Sequence, residues 1–208
     1  MNLKTRRFQI AGPVGVIEVL RDEPLEGASR GTAVIAHPHP LFAGTMDNKV
    51  VQTLARAFVQ SGWSAVRFNF RGVGATEGVH DHGIGELVDM LAVIDKEAAT
   101  GPLAIAGFSF GSFVSAGAVA SLAPLRQIEK VVLVGTAAEN FAVAAVPEDL
   151  HDATLVIHGE EDDTVPLSAA LDWARPQSLP VTVVPGGGHF FHGQLPLLKS
   201  MVVRHLRS

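Results

Sequence analysis

Cysteine and tyrosine are both absent from the 208 residues. Without cysteine there is no thiol nucleophile, thiolate zinc site, iron–sulfur cluster or disulfide, so covalent catalysis must use oxygen or nitrogen. Without tyrosine, no phenol can serve as an acid or as a donor to an oxyanion. Charge is sparse: 18% of residues are charged and the net charge is −5. That balance offers no footprint for a polyanion, so nucleic acid is not an expected partner. Met1 to Phe8 carries positive charge with no apolar core of signal-peptide length behind it, which makes the cytoplasm the default location. Ala98 to Leu125 holds no charged residue. Gly101-Pro102 opens that run, Pro124 closes it, and Gly107, Ser109, Gly111, Ser112, Ser115 and Gly117 dilute it, so it is not read as a membrane span.

What remains is 47% hydrophobic and includes 21 glycines, the composition of a folded globular chain. Its length suits one domain, expected over residues 1–208, that buries ~70% of the surface its unfolded form exposes. Phe8 to Ile10 and Val14 to Leu20 flank Gly12-Pro13 and predict an edge hairpin. Thr32 to His37 is a continuous apolar run, as expected of a strand buried on both faces of a parallel sheet. A helix over Asp47 to Ser61 follows, with Val51, Leu54 and Phe58 at helical spacing and Gly62 as its stop.

Ser64 to Phe70 is the next strand, and Ile84, Leu87, Val88, Leu91 and Ile94 mark one face of the next helix. Further strands are predicted at Lys130 to Gly135, Thr154 to Gly159 and Val181 to Val184. Helices are predicted over Leu167 to Ala174 and at the end of the chain, where Leu198, Met201 and Val202 share a face. The alternation implies an α/β fold, a doubly wound, mostly parallel sheet with helices on both faces. Thr136 to Asp152 is too short for a substantial lid domain, so an open site is expected. Ligands of such sheets bind beyond the carboxyl ends of the strands, which directs attention to residues that follow strands.

The organising stretch is Leu103 to Val114, where an apolar run breaks at Gly107-Phe108-Ser109-Phe110-Gly111 and continues in small residues. Gly-x-Ser-x-Gly between a strand and a helix presents one hydroxyl on a strained turn, with glycines where side chains would collide. The hydroxyl lies at a helix N-terminus, where free N–H groups favour negative charge. An ordinary glycine-rich turn is the competing reading, and the flanking strand and helix argue against it.

A serine nucleophile needs a base, usually histidine, and the histidine needs a carboxylate to fix its tautomer. Glu160-Glu161-Asp162-Asp163 follows a strand and can supply that acid, although most of such a cluster must be solvated. Gly186-Gly-Gly-His189-Phe-Phe-His192 follows the last strand, and its glycines and aromatics favour His189 over His192 as base. The chain order Ser109, acid, His189 fits this arrangement. Two backbone N–H donors must hold the oxyanion. Phe110 is one candidate; Pro38 and Pro40 have no N–H, which leaves His39 first and Leu41 second for the other. His37 with His39, or His80 with His82, could be metal ligands, but further ligands at motif spacing are not evident. His151, His158 and His205 are assigned structural roles. Glu77 occupies the third glycine position of a dinucleotide fingerprint at Gly72 to Gly78, so no cofactor is expected.

With Gly107-Phe-Ser109-Phe-Gly111, Gly159-x-x-Asp162-x-x-Val-Pro166 and Gly188-His189-Phe in place, the chain resembles the α/β-hydrolase superfamily over nearly its whole length. His37-Pro-His-Pro-Leu-Phe-Ala-Gly-Thr-Met-Asp-Asn-Lys49 and Phe68-Asn-Phe-Arg-Gly-Val-Gly74 look like small bacterial members with little or no cap, related to dienelactone hydrolases and serine aminopeptidases. The resemblance implies Ser109 as nucleophile, His189 as base and, in place of Asp163, Asp162 as acid. It departs at Ala75-Thr76, where many relatives carry a bulkier residue and serine. Triad and resemblance together lead to the expectation of a serine hydrolase of the carboxylesterase kind acting on a small-molecule acyl substrate, although these motifs are poor guides to substrate; neither nucleic acid nor membrane is an expected partner, and a homo-oligomer is possible. An aminopeptidase or acyltransferase would use the same triad, and a non-catalytic binding module could share the fold.

Overall fold

The uninterrupted apolar runs become the centre of one sheet. A computed structural model of the chain describes residues 5–207. Met1 to Lys4, the first half of the positively charged stretch Met1 to Phe8, and Ser208 lie outside the described residues. The strands are β1 (Thr5–Gly12), β2 (Gly15–Asp22), β3 (Thr32–Ala36), β4 (Ser64–Phe68), β5 (Leu103–Phe108), β6 (Ile128–Val134), β7 (Thr154–Gly159) and β8 (Val181–Val184). They form a single sheet in the order β1-β2-β4-β3-β5-β6-β7-β8. Pairing is antiparallel through β1, β2 and β4 and parallel from β4 onward. Every residue of β3, β4 and β5 is buried, as strands covered on both faces require.

The helices are α1 (Lys49–Gln60), α2 (Ile84–Glu97), α3 (Phe110–Leu122), α4 (Leu167–Ala174) and α5 (Leu195–His205). One apolar cluster joins α1 and α5 to the sheet through Leu54, Phe58, Trp63, Phe108, Leu198 and Val202. The other joins α2, α3 and α4 to the opposite face through Phe68, Phe70, Met90, Phe110, Val119 and Ala174. The start of α1 is fixed by Asn48, whose side-chain oxygen accepts the Val50 N–H at 2.8 Å.

The one face predicted for α2 holds for Leu87, Leu91 and Ile94, which pack on the core, and fails at Ile84 and Val88. Ile84 is 72% and Val88 46% exposed, whereas Glu86 and Asp89 are fully buried. Two sets of polar partners outweigh the apolar pattern. Glu86 accepts the N–H groups of Asp81 and Gly83 at 2.9 and 2.8 Å, holding the helix N-terminus. Asp89 forms a bidentate pair with Arg71, Nε and Nη2 each at 2.8 Å, and accepts the Arg71 main-chain N–H at 3.3 Å. A carboxylate with that many donors is buried at tolerable cost. Thr76, one of the two departures from the family pattern, is also structural: its hydroxyl donates to the Asn69 carbonyl and accepts the Glu18 N–H, each at 2.9 Å, tying the loop to β2.

The connection between β6 and β7 carries one 3-10 turn, Glu148–Leu150, and lies down on the core through Val146 and Leu150. No helix among the described residues is long and apolar enough to cross a membrane.

Candidate active site

The chain runs from β3 to β4 on one side and then crosses to β5 on the other, so sheet order reverses between β3 and β5. The crevice at their carboxyl ends is where an α/β sheet accepts a ligand. Ser109 follows β5 and His39 follows β3. A depression of about 610 Å³ beside Ile94, Leu122 and Arg126 is at the other end of the sheet, where β5 begins, and belongs to a different surface.

Ser109 has φ 57° and ψ −120°, a backbone region that costs a non-glycine residue ~1–3 kcal/mol. Its neighbours enforce it. A Cβ on Gly107 would lie 2.3 Å from the Gly111 carbonyl oxygen, and one on Gly111 would lie 2.4 Å from that of Ala36. Both contacts are with backbone, which has little room to yield. Ser112 straps the turn to β6: its hydroxyl lies 2.8 and 2.9 Å from the Gly107 and Val134 carbonyl oxygens and accepts the Val134 N–H at 3.0 Å.

His189 Nε2 lies 3.0 Å from Ser109 Oγ, and its Nδ1 lies 2.7 Å from Asp162 Oδ2. With Nδ1–H donating to the carboxylate, Nε2 is left as an acceptor facing the serine hydroxyl. Asp162 Oδ1 accepts the N–H groups of Thr164 at 3.0 Å and Val165 at 2.7 Å. Burial opposes ionisation of Asp162, but the bond from His189, the Val165 N–H, the His189 charge and the Thr164 N–H together hold its carboxyl below the ordinary range. Asp163 and His192, the alternatives, are both exposed.

His158, assigned a structural role from sequence, contacts the same carboxylate. Its Nε2 lies 2.9 Å from the Val165 carbonyl oxygen and 3.4 Å from Asp162 Oδ2. Two acceptors on one nitrogen place the proton there, and the buried Nδ1 has no hydrogen-bond partner among the described residues. His158 is four residues before Asp162 on the end of a strand, and nothing in the sequence shows that the turn brings it back. His151 and His205 keep structural roles, bonded to the carbonyls of Val146 and Ala153.

The loop after β3 separates the two oxyanion candidates. The Leu41 N–H donates to His39 Nδ1 at 3.2 Å. The main-chain N–H groups of His39 and Phe110 have no acceptor among the described residues. His37 cannot bind a metal as it stands, since its Nδ1 is 2.6 Å from the Pro38 carbonyl oxygen and its Nε2 accepts the Phe70 N–H at 3.0 Å. His80 Nδ1 lies 2.7 Å from Glu86 Oε1. No metal-binding group of three or more side chains occurs among the described residues.

Burial pushes the His37 imidazole down to about 4, against the opposing bond to Pro38. Above pH ~6.5 neither the folded nor the unfolded chain holds that proton. Between ~6.5 and ~4 only the unfolded chain takes it up, so stability is expected to fall by ~3 kcal/mol across that window. Denaturant midpoints at a series of pH values, with the His37 ring followed by NMR, check this. Titration of that ring near 6.5 would contradict it.

An eight-stranded, mostly parallel sheet with a serine at its central strand-to-helix turn defines the α/β-hydrolase class of fold. A lidless α/β serine hydrolase of Xanthomonas campestris is 33% identical, with a TM-score of 0.87 over 100% of this chain and 95% of that one. An α/β serine hydrolase homologue from Coxiella burnetii is 36% identical, with a TM-score of 0.84 over 99% and 98%. The chain therefore belongs to the α/β-hydrolase superfamily, with the small serine hydrolase homologues that lack a lid. An uncharacterized protein of Rickettsia prowazekii is 41% identical over 108 residues, 50% of this chain but only 45% of that protein. The match thus spans less than half the length of that curated relative. No protein-family model matches the chain.

Proposed function

We propose that this chain is a serine hydrolase that cleaves an ester or related acyl bond through a covalent acyl-enzyme. The observation that carries the reading is the unbroken relay of 3.0 and 2.7 Å contacts from Ser109 through His189 to Asp162. His189 Nε2 takes the hydroxyl proton as Ser109 Oγ bonds to the carbonyl carbon. The oxyanion sits against the main-chain N–H groups of Phe110 and His39, the first of them at the positive end of α3. His189 returns the proton to the leaving oxygen, the carbon–oxygen bond breaks, and alcohol departs. Water then gives a proton to His189 and its oxygen to the acyl carbon, and the proton returns to Ser109 as the acid leaves.

Asp162 holds the histidine tautomer and stabilises the imidazolium, and His158 holds Asp162 in place. The proposed catalytic unit is one domain spanning residues 1–208, acting on a small-molecule substrate in the cytoplasm without a cofactor. The absence of a lid favours a substrate that enters directly from solvent.

Intact-mass analysis after exposure to a small fluorophosphonate tests the reading. A single adduct that maps to Ser109, and is lost in His189→Ala, is expected because the serine is nucleophilic only when its base is present. A folded protein that forms no adduct would contradict it.

A further inference from the structure

The elbow divides the aromatic residues into two groups. Phe108 and Phe110 flank Ser109 and, because of its positive φ, belong to the two opposite core clusters. His189 contacts only the first group: its ring is 4.9 Å from Phe108 and 5.0 Å from Phe190. The second group is built on Phe110, whose ring lies 4.9 Å from His39, 5.2 Å from Phe141 and 5.7 Å from Phe113. Phe42 meets His39 edge-on at 4.9 Å, and Phe113 stacks on Phe141 at 4.8 Å with their planes 18° apart. No ring contact joins the two groups among the described residues.

Tetrahedral geometry assigns the groups different parts of a substrate. At the attacked carbon, one bond goes to Ser109 Oγ, the oxyanion faces the His39 and Phe110 N–H groups, and the leaving oxygen must face His189 Nε2 to receive its proton. The acyl substituent is the remaining bond, so it is directed away from His189, and the ring group that makes no contact with His189 is the one around His39 and Phe110. Phe110 is buried and forms the floor, while Phe42 is 82% exposed and Phe113 and Phe141 are partly exposed, so these three present free ring surface.

The two charged groups buried behind the wall are both committed elsewhere. Arg71 is consumed by Asp89, and Glu86 is enclosed by two N–H donors and His80. Burial first, then His80 and His82, hold the His39 imidazole below its ordinary range against the opposing pull of Glu86, so it is neutral at pH 7. Neither Arg71 nor Glu86 is free to pair with a charged acyl group, whereas a flat ring can use offset and edge-to-face contacts beyond simple area burial.

Resting on the serine hydrolase reading, we infer that His39, Phe42, Phe113 and Phe141 form an acyl subsite for flat, uncharged aromatic acyl groups. The Phe190 side takes the alcohol. The preferred substrates are then aryl or arylalkenyl carboxylic esters of small alcohols.

The test compares kcat/KM for methyl acetate, methyl octanoate and methyl cinnamate, with acid release read by titration. The intact protein is expected to favour the cinnamate over both others by ~10-fold, the scale of one or two aromatic contacts. Phe42→Ala and Phe141→Leu are expected to lower the cinnamate-to-acetate ratio by ~10-fold. Phe42 is surface-exposed, so its variant should fold; Phe190→Ala should leave that ratio unchanged and alter the comparison of methyl with benzyl acetate. Octanoate preferred over cinnamate, or equal losses on all acyl groups, would overturn the aromatic assignment while leaving the hydrolase reading intact. No turnover of any ester, together with no fluorophosphonate adduct on Ser109, would overturn both.

Discussion

Ser109→Ala is expected to lower ester turnover by ~10³-fold or more without disturbing the fold. In the proposed mechanism the chemistry depends on one oxygen. His189 can accept a proton only from a hydroxyl within reach, and Ser109 Oγ at 3.0 Å is that hydroxyl. Alanine keeps the Cβ, so the strained φ of 57° is no worse tolerated than with serine. The restraints that impose the strain, Gly107, Gly111 and the Ser112 strap, are untouched. Unfolding midpoints should therefore change little while hydrolysis is lost. Residual rate above that of water would come from the backbone N–H groups alone. Full turnover in the alanine variant would remove Ser109 from the mechanism.

Asp89→Asn is expected to destabilise the fold by ~3–5 kcal/mol, because it leaves a guanidinium buried without its counter-charge. Asp89 is fully buried and Arg71 nearly so, and burying a charge is costly unless it is paired. Asparagine preserves the shape yet can accept only through its single carbonyl oxygen, so one of the two 2.8 Å contacts must be lost. A Cβ at Gly85 would lie 1.9 Å from Arg71 Nη1, which shows how closely the helix backbone encloses the group and how little space exists for water. Chemical denaturation of the two proteins at pH 7 gives the difference directly. A loss below ~1 kcal/mol would mean that the pair is screened as an exposed one would be. The consequence for the site is indirect: Arg71 anchors the loop after β4, and that loop leads to His80 against the His39 ring.

The same residues show where sequence and tertiary structure part. Continuous apolar runs, β-rich and bounded by glycine and proline, determined the buried strands by themselves, because burial on both faces is written residue by residue. Thr154 to Gly159, Leu167 to Ala174 and Val181 to Val184 match their elements end for end. The elbow was equally legible as a pattern, although only Gly107 answers to a clash within the motif, with the Gly111 carbonyl, whereas Gly111 makes room for the Ala36 carbonyl of the neighbouring strand. What periodicity could not give is a face whose burial depends on charge: Glu86 and Asp89 turn inward on α2 because donors from distant backbone and Arg71 are waiting there.

Contacts that close over long stretches of chain belong to the tertiary structure alone. His189 is 80 residues from Ser109 and 27 from Asp162, and only the parallel register of β5, β6, β7 and β8 brings their ends to one edge. Within the acidic cluster, the turn that aims the Thr164 and Val165 N–H groups selects Asp162 and leaves Asp163 in solvent. The same folding back sets His158 against that carboxylate. A hydrogen bond inside one turn occupies the Leu41 N–H, whereas that of His39 has no acceptor among the described residues. Residue types and their local spacing therefore determined which chemistry this chain can attempt. The strand register and the direction of each backbone N–H decided which side chains meet, because a contact of 3 Å depends on positions that local sequence does not constrain.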